Sequence, residues 1–409
     1  MVDAKLLKRL SVAVAKNFPD QKKFLSRLVK TKSINPNTPD ITDKTTPIEK
    51  GVSDLIYRKL KSLKFSPRRL AATQKRPNIV CYEGPSRYKK SLILNGHMDT
   101  SPPPEEYKNN PFSGAIKGNK LYGIGALDMK GPLTAYIYAL KAIKDAKIKL
   151  VGRLILEFVV DEEPGANSKL GTHHLMSRGI KAKAAIIAEP GGQIGIGHRG
   201  GYRFKLTTYG EAAHTGTSSW QKGLKGKSAI ADMVRAIEIL KKIDIPFKPS
   251  RVFSGKKPMI TFPTMIQGGV AINVVPDKCV AYGDVRLMPG NSHKQIRLII
   301  EEKLAQLPDL KYSLDDLLFV PAFELDDKED IVQSLASSYT KVTKQTPTIE
   351  GIGPWNDAWM MATNDIPTIT QVPLKGNGTH TQNEWVDLTS LRHLTTTLAV
   401  TIIDFLERK

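Results

Sequence analysis

The stretch Leu92-Ile-Leu-Asn-Gly-His97-Met-Asp99-Thr100 runs from an apolar segment into two polar side chains. Its apolar start is typical of a buried β-strand, and the glycine marks the place where the strand ends. His97 and Asp99 stand two positions apart, so an extended backbone directs both side chains to one face. The pattern therefore predicts a buried strand that presents a histidine and a carboxylate at its carboxyl end.

Two further apolar runs lead into acidic residues in the same way. Phe158-Val-Val precedes Asp161-Glu162-Glu163, and Ala185-Ile-Ile-Ala precedes Glu189. Helical periodicity lies between the runs, and strands that alternate with helices predict an α/β domain with a doubly covered, mostly parallel sheet. The carboxyl ends of the strands line the ligand crevice of such a sheet, which would bring these side chains together.

The pattern changes near residue 198, where an alternating strand begins. We expect the order β-α-β-β-α there, with a last strand at 310–313, which indicates a smaller α+β module inserted into the α/β domain. The expected division is 1–197 and 315–409 for the catalytic domain and 198–314 for the inserted domain. At the amino end, residues 5–30 have helical spacing, and Pro19 is expected to divide them into two helical pieces.

The charge is strongly basic and unevenly distributed. The chain of 409 residues has 61 Lys and Arg against 40 Asp and Glu, a net charge of +21. Residues 1–90 hold 22 of those basic residues and 7 of the acidic ones, which is +15. Such a field attracts anions, so a solvated lysine surface, an acidic carrier protein, another polyanion and an anionic substrate all remain open.

Other features of the composition exclude several classes of protein. No apolar run approaches the roughly 18 residues of a membrane span, and no secretory signal is visible at the amino end. The two cysteines, Cys81 and Cys279, exclude a disulfide framework and a zinc site built on thiolates. We expect a cytoplasmic protein with no membrane partner, and nucleic acid is not an expected partner.

Two more short motifs complete the candidate site. Tyr122-Gly-Ile-Gly-Ala-Leu-Asp128 presents one carboxylate before a helix, and Gly376-Asn-Gly-Thr-His380 ends a glycine loop in a histidine. Alone, Asp128 is equally explained as a helix cap, and His380 as a solvated loop residue. Two histidines together with several carboxylates and no thiolate suit zinc, cobalt or manganese, and one shared carboxylate would hold two ions.

The combination of motifs resembles the acetylornithine deacetylase, succinyl-diaminopimelate desuccinylase, aminoacylase and glutamate carboxypeptidase family of co-catalytic zinc hydrolases. The resemblance covers about residues 20–400. It implies two divalent ions, zinc foremost with cobalt or manganese as alternatives, bound by His97, Asp128, Glu163, Glu189 and His380. In this scheme Asp128 bridges the ions and precedes a cis peptide, Asp99 orients His97, and Glu162 is the general base.

The inserted domain resembles the lid and dimerisation domain of the same family. That resemblance implies a homodimer in which His214 stabilises the oxyanion in a partner's site. It also implies that Asn273 and Arg286 contact the substrate, with Arg286 holding a carboxylate. Trp355 departs from the family pattern, because it stands in a loop that is usually rich in glycine.

The implied reaction is hydrolysis of the amide bond of N-acyl amino acids, as in deacetylases and desuccinylases. Glu189, where several carboxypeptidases of the family have aspartate, favours deacylation. A carboxypeptidase or dipeptidase acting on short peptides with a free carboxylate remains an alternative. A basic carrier- or polyanion-binding protein on a retired hydrolase fold is a third possibility, against which the full set of ligands argues.

Overall fold

The computed structural model describes residues 2–36, 48–85, 90–104, 110–163 and 168–407. Within them the helices are α1 (Ala4–Lys30), α2 (Lys50–Ser62), α3 (Lys130–Asp145), α4 (Thr172–Ser177), α5 (Ser218–Gln221), α6 (Ala229–Leu240), α7 (His293–Leu304), α8 (Asp330–Thr343), α9 (Ala358–Ala362) and α10 (Leu388–Glu407).

The strands of the same residues are β1 (Pro67–Thr73), β2 (Arg76–Glu83), β3 (Ser91–His97), β4 (Ile116–Lys117), β5 (Lys120–Tyr122), β6 (Arg153–Val159), β7 (Ala184–Ile187), β8 (Pro190–Gly191), β9 (Ile194–His198), β10 (Gly200–Tyr209), β11 (Ala213–His214), β12 (Met259–Gly268), β13 (Val274–Val275), β14 (Lys278–Leu287), β15 (Lys311–Val320), β16 (Phe323–Glu324), β17 (Ile349–Ile352), β18 (Thr368–Ile369), β19 (Val372–Pro373), β20 (Gly376–Asn377) and β21 (Trp385–Asp387).

The chain divides into two compact units. The large unit comprises Met1–Gly197, Leu325–Ile352 and Asn356–Lys409, and the inserted unit comprises His198–Glu324 and Gly353–Trp355. The inserted unit continues beyond residue 314, because β15 pairs with β10 as far as Val320. The last strand of the module is therefore longer than the segment 310–313 that the sequence pattern predicts.

The large unit is built on a six-stranded sheet in the order β1-β2-β6-β3-β7-β18. The pairings among β6, β3, β7 and β18 are parallel, whereas β1 and β2 add two antiparallel pairings at one edge. One face packs against α4 and α9 through Ile93, Ile155 and their buried neighbours. Helices α3 and α10 contact the sheet at β3 on the other side, so both faces are covered as predicted.

Helix α1 is continuous from Ala4 to Lys30 and carries Pro19 inside it, so the prediction of two helical pieces is wrong. Its buried residues recur at helical spacing on both sides of the proline, and they pack against α3 and α10. The packing of this long apolar stripe outweighs the cost of about 3 kcal/mol that a proline imposes inside a helix.

The inserted unit is an antiparallel sheet in the order β12-β14-β10-β15, with α6 and α7 packed against it. Strand β14 alternates strictly between buried and half-buried or exposed residues, which is the pattern of a sheet with one face covered. Phe204, Ala281 and Met233 belong to its core, which the helices close. This arrangement agrees with the predicted α+β module.

Candidate metal centre

Three parallel strands of the large unit end beside one another. The register pairs His97 at the end of β3 with Val159 at the end of β6, and Asn95 with Ile187 at the end of β7. The acidic residues that follow β6 and β7 therefore lie near His97. This is the edge of the sheet at which the sequence pattern places the site.

His97 faces two carboxylates through one ring nitrogen. Its Nε2 lies 3.2 Å from Asp128 Oδ1 and 3.4 Å from Glu189 Oε1. Its Nδ1 lies 3.0 Å from the backbone carbonyl oxygen of Asp99. A proton on Nδ1 donates to that carbonyl, which leaves the lone pair of Nε2 directed at oxygens that also carry lone pairs.

His380 makes the matching arrangement on the other side of Asp128. Its Nε2 lies 3.2 Å from Asp128 Oδ2 and 2.7 Å from Glu163 Oε1. The loop that carries His380 lies between β20 and β21, and β21 pairs with β5, which leads into the Asp128 segment. Each oxygen of the Asp128 carboxylate thus faces a different histidine.

The donor set fits two divalent cations. Ligand atoms of His97, Asp128 and Glu189 lie within 4.8 Å of one another, and so do those of Asp128, Glu163 and His380. With Glu162 the cluster holds four carboxylates, whose charge of −4 equals the opposite charge of two divalent ions. Lone-pair donors that face each other in a buried site need a cation or protons between them. Imidazole and carboxylate donors without thiolate suit zinc, cobalt or manganese.

The pKa values of the chain alone show the same crowding of charge. Burial raises the pKa of Glu189 to about 8. Hydrogen bonds to Asp128 and Glu163 raise the pKa of His380 to about 11. Burial opposes protonation of His97, but its hydrogen bonds to Asp128 and Glu189 outweigh burial and raise its pKa well above the ordinary value. Each of these shifts favours the protonated form, which is the expected effect of carboxylates and histidines crowded together.

Glu162 lies beside these groups without belonging to either set of three around Asp128. Its carboxylate comes within 4.8 Å of ligand atoms of His97 and Glu163. Burial raises its pKa well above the ordinary value, and the charges of Asp357 and Glu163 add to that effect. A buried carboxyl with a raised pKa is suited to accept and return a proton.

Asp99 contacts His97 through its backbone carbonyl and not through its carboxylate. Its carboxylate Oδ1 lies 3.9 Å from His97 Nδ1, beyond hydrogen-bond distance, whereas its backbone carbonyl accepts from the ring. The other carboxylate oxygen, Oδ2, accepts from Asn35 Nδ2 and from the backbone N–H of Glu163, each at 2.8 Å. Asp99 therefore contacts His97 through its main chain, and its side chain instead accepts a hydrogen bond from the Glu163 backbone.

Sequence reasoning assigned no role to several residues that contact this centre. Glu384 Oε1 accepts from the backbone N–H groups of Leu127 and Asp128 at 2.8 and 3.0 Å, and the Asp128–Met129 peptide is cis, as the resemblance implies. Ser101 Oγ donates to Glu163 Oε2 at 2.9 Å. The acid four residues after His380 was the available sequence signal for Glu384, whereas Ser101 is not distinguished in the sequence from other loop serines.

The inserted unit contains the other three predicted site residues. His214 and Asn273 are neighbours, because β11 pairs with β13 and Asn273 Nδ2 lies 3.2 Å from His214 Nε2. Arg286 lies elsewhere on that unit, where its Nε donates to Asp284 Oδ2 at 2.8 Å. The structure therefore brings His214 and Asn273 together.

Trp355 packs over the face of the inserted sheet that carries Arg286 and Gly201. The guanidinium carbon of Arg286 lies 4.2 Å from its ring centroid, which is the geometry of a cation–π contact. A Cβ at Gly201 would lie 2.3 Å from the Trp355 ring, so only glycine leaves room for the indole there. Trp355 and Asp284 together hold the guanidinium in place.

Comparison with known proteins decides the family. The family model described as peptidase family M20/M25/M40 matches residues 93–404. The chain belongs to this family. It is a metallohydrolase of the M20 type that acts on amides or peptides.

Two curated relatives of this M20 chain are deacylases. N-formyl-4-amino-5-aminomethyl-2-methylpyrimidine deformylase of Bacillus subtilis (strain 168) is 28% identical, over 97% of this chain and 98% of the relative. Succinyl-diaminopimelate desuccinylase of Wolinella succinogenes is 30% identical, over 65% of this chain and 71% of the relative.

Solved structures show the same fold. Aminopeptidase PepT from Bacillus cereus has a TM-score of 0.74 at 19% identity, covering 97% of this chain and 99% of the other. The Bacillus subtilis YXEP protein, described as a dinuclear metal-binding peptidase of the M20 family, has a TM-score of 0.69 at 15% identity, covering 96% of this chain and 99% of the other. Among the described residues, no helix is both long enough and apolar enough to span a bilayer.

Proposed function

We propose that this M20 chain hydrolyses the amide bond of an N-acyl compound with two bound divalent cations. One observation carries the proposal: the two oxygens of Asp128 face the Nε2 atoms of His97 and His380, each at 3.2 Å. A carboxylate shared in this way is what a two-metal site requires. The proposed ligands are His97, Asp128 and Glu189 for one ion and Asp128, Glu163 and His380 for the other.

The residues around the ions have distinct proposed tasks. When bound, the two ions, zinc foremost with cobalt or manganese as alternatives, lower the pKa of water and polarise the scissile carbonyl. Glu162 accepts a proton from the attacking water and later returns it to the leaving amine. The acid released is the acyl group as a carboxylate, and the second product is the free amine.

The roles of three residues in the inserted unit rest on the family resemblance. We assign His214 to the oxyanion, Asn273 to the substrate and Arg286 to a substrate carboxylate. The fixed guanidinium of Arg286 suits the last task, because a planar fork matches a carboxylate with two parallel hydrogen bonds.

An N-acyl substrate is favoured over a peptide. The deformylase relative matches nearly the full length of this chain, and its name describes removal of a one-carbon acyl group from an amine. Glu189, which stands where several carboxypeptidases of the family have aspartate, points the same way. Di- or tripeptide hydrolysis by the same metal centre is the second candidate, because the two reactions break the same kind of bond.

The test is a substrate panel on protein stripped with a chelator and reconstituted with zinc, cobalt or manganese. The panel contains N-formyl aminopyrimidines, N-acetylornithine, N-succinyl-diaminopimelate, neutral N-acyl amino acids, and dipeptides. We expect metal-restored turnover of one N-acyl class. Turnover of dipeptides alone would replace deacylation by peptide hydrolysis, and failure to bind any metal would overturn the proposal.

We also propose that the protein is a homodimer formed through the inserted unit. Strand β12 is at an edge of its sheet, and Met265 within it and Val270 just after it are 66% and 87% exposed. Exposed Ile266 and Ile272 extend the apolar patch, and Ile230 of α6 adjoins it at Gly268. An edge strand with exposed apolar residues is a surface that a second copy of the chain would cover.

A further inference from the structure

The short segment that carries Glu162 and Glu163 begins with a strained residue. Asp161 has a φ of 73°, in the left-handed region that favours glycine. This turn follows the end of β6 and directs the two glutamates toward the cluster. A non-glycine residue keeps such a conformation only where surrounding contacts hold it, and sites of this kind are often functional.

Arg76, at the start of β2, supplies those contacts from outside the metal cluster. Its Nη1 donates to Asp161 Oδ1 at 3.0 Å. Its Nε donates to Glu49 Oε2 at 2.9 Å, and its Nη2 also contacts Glu49. Arg76 is 6% exposed and Glu49 is fully buried, so this ion pair is shielded from water.

Two further sets of contacts connect the Arg76–Glu49 pair to the segment Asp161–Glu163. Glu49 Oε1 accepts from the backbone N–H of Asp161 at 3.2 Å. Arg76 Nη2 approaches Asn35 Oδ1 at 3.5 Å, and Asn35 Nδ2 donates to Asp99 Oδ2. Asp99 Oδ2 also accepts from the backbone N–H of Glu163. The contacts that start from Arg76 and Glu49 therefore hold the backbone at Asp161 and at Glu163, on both sides of Glu162.

We propose that Arg76, paired with Glu49, is a positioning residue that fixes the backbone of Asp161–Glu163 and so places the Glu162 carboxylate for proton transfer. Stability alone does not account for the pair, since a buried ion pair is often no more stabilising than apolar residues of the same volume. The planar fork of arginine contacts Glu49, Asp161 and Asn35 at once, and the single ammonium of lysine is unable to do so. This inference rests on the proposed role of Glu162.

The experiment compares Arg76→Lys with Arg153→Lys, a change of the same kind on the next strand of the sheet. Arg153 donates to the backbone carbonyl of Gly84 and does not contact the segment. We expect Arg76→Lys to lower kcat about 100-fold with KM nearly unchanged, because a displacement of about 1 Å costs that much. Metal stoichiometry is expected to stay at the wild-type value, and Arg153→Lys to keep wild-type kcat.

Amide hydrogen exchange supplies a readout that does not depend on activity. Faster exchange of the Asp161 and Glu163 amides in Arg76→Lys, but not in Arg153→Lys, is the expected result. Unchanged exchange would overturn the proposal even if wild-type protein is an active hydrolase. If no substrate of the panel is turned over, the function proposed above fails, and the exchange result still decides whether Arg76 holds the segment.

A second variant distinguishes loss of positioning from loss of the folded state. Glu49→Gln retains an acceptor for the Asp161 N–H but weakens the partner of Arg76, so we expect an intermediate fall in kcat, about 10-fold. Loss of metal or of the folded state in parallel with kcat, in both variants, would make Arg76 a general structural residue and contradict the positioning role.

Discussion

Glu384 Oε1 accepts the backbone N–H of Asp128 at 3.0 Å, so a buried carboxylate holds the main chain at the proposed bridging ligand. The residue is 1% exposed, and burial raises its pKa to about 7. Groups that orient a metal ligand typically change metal affinity by 10- to 100-fold when they are removed.

Glu384→Ala is therefore expected to weaken binding of divalent metal at least 10-fold, measured by competition with a chromophoric chelator. Glu384→Gln is the matched control, because its amide oxygen still accepts both N–H groups, and its affinity should stay within a few-fold of wild type. Equal affinity of the alanine variant and wild type would show that the Asp128 backbone needs no such support.

Removal of the shared ligand should differ from removal of an unshared one. Asp128→Ala is expected to lose tight binding of both ions, whereas Glu189→Ala should retain one ion per chain. Elemental analysis after dialysis against trace zinc distinguishes the two variants. A full complement of two ions in Asp128→Ala would contradict the bridging arrangement.

Glu162→Gln tests the general base. The amide is similar in size but is unable to accept the proton, so kcat should fall by about 10²- to 10⁴-fold while metal content stays at the wild-type level. The measurement pairs turnover of the best substrate of the panel with elemental analysis. Wild-type turnover in this variant would remove Glu162 from the mechanism.

Glu157 gives a prediction on stability and pH. It is buried in β6, where Asn95 Nδ2 donates to its Oε2 at 2.8 Å, and burial raises its pKa to about 7. A raised carboxyl pKa means that the folded protein binds the proton more tightly than the unfolded chain does. Its stabilising effect is present below the ordinary pKa of about 4.5 and is lost as the pH rises through about 7.

Glu157→Gln removes the ionisable carboxyl. The variant should therefore be more stable than wild type by about 1–3 kcal/mol at pH 8.5, and the difference in stability should be much smaller at pH 5. Urea denaturation at the two pH values measures the difference. Glu238→Gln, a change on the exposed side of α6, is the control and should show little difference between them. A gain in stability that is the same at both pH values would exclude ionisation of Glu157 as its cause.

The proposed dimer predicts a change in mass in solution. Met265→Glu combined with Val270→Glu should convert a dimer to a monomer in sedimentation velocity, because the two charges would be buried at the interface. Val12→Glu, at an exposed apolar residue of the large unit, should leave the mass unchanged. A wild-type protein that sediments as a monomer at high concentration would refute the dimer.

The sequence predicted the elements that carry His97, Glu163 and Glu189, because each of these residues ends or follows an apolar strand whose end is marked by glycine or acidic residues. Asp128 and His380 required the resemblance, since a single acid before a helix has a simpler explanation as a cap. The grouping of these residues in one site could be predicted because parallel strands place their carboxyl ends together, whatever the length of chain between them.

The sequence did not reveal the residues that support this site. Arg76 opens an ordinary strand, Glu49 precedes a helix, and Asn35 stands in a polar loop, so no local pattern relates them. Their contacts come from the antiparallel pairing of β2 with β6 and from the packing of α2, which are tertiary relationships. The contact of Asp99 with His97 through the main chain was equally unpredictable, because residue spacing does not show which oxygen faces a ring nitrogen.

The core of the inserted unit is drawn from one uninterrupted piece of the chain. Every residue of that core lies between Tyr202 and Phe319, and the four strands of the sheet lie within Gly200–Val320. A polypeptide of residues 198–324 should consequently fold autonomously, give dispersed amide resonances when it is isotopically labelled, and self-associate without the metal centre. Only Gly353–Trp355 would be missing from it, and their addition in trans as a short peptide would report directly on the contact between Trp355 and Gly201.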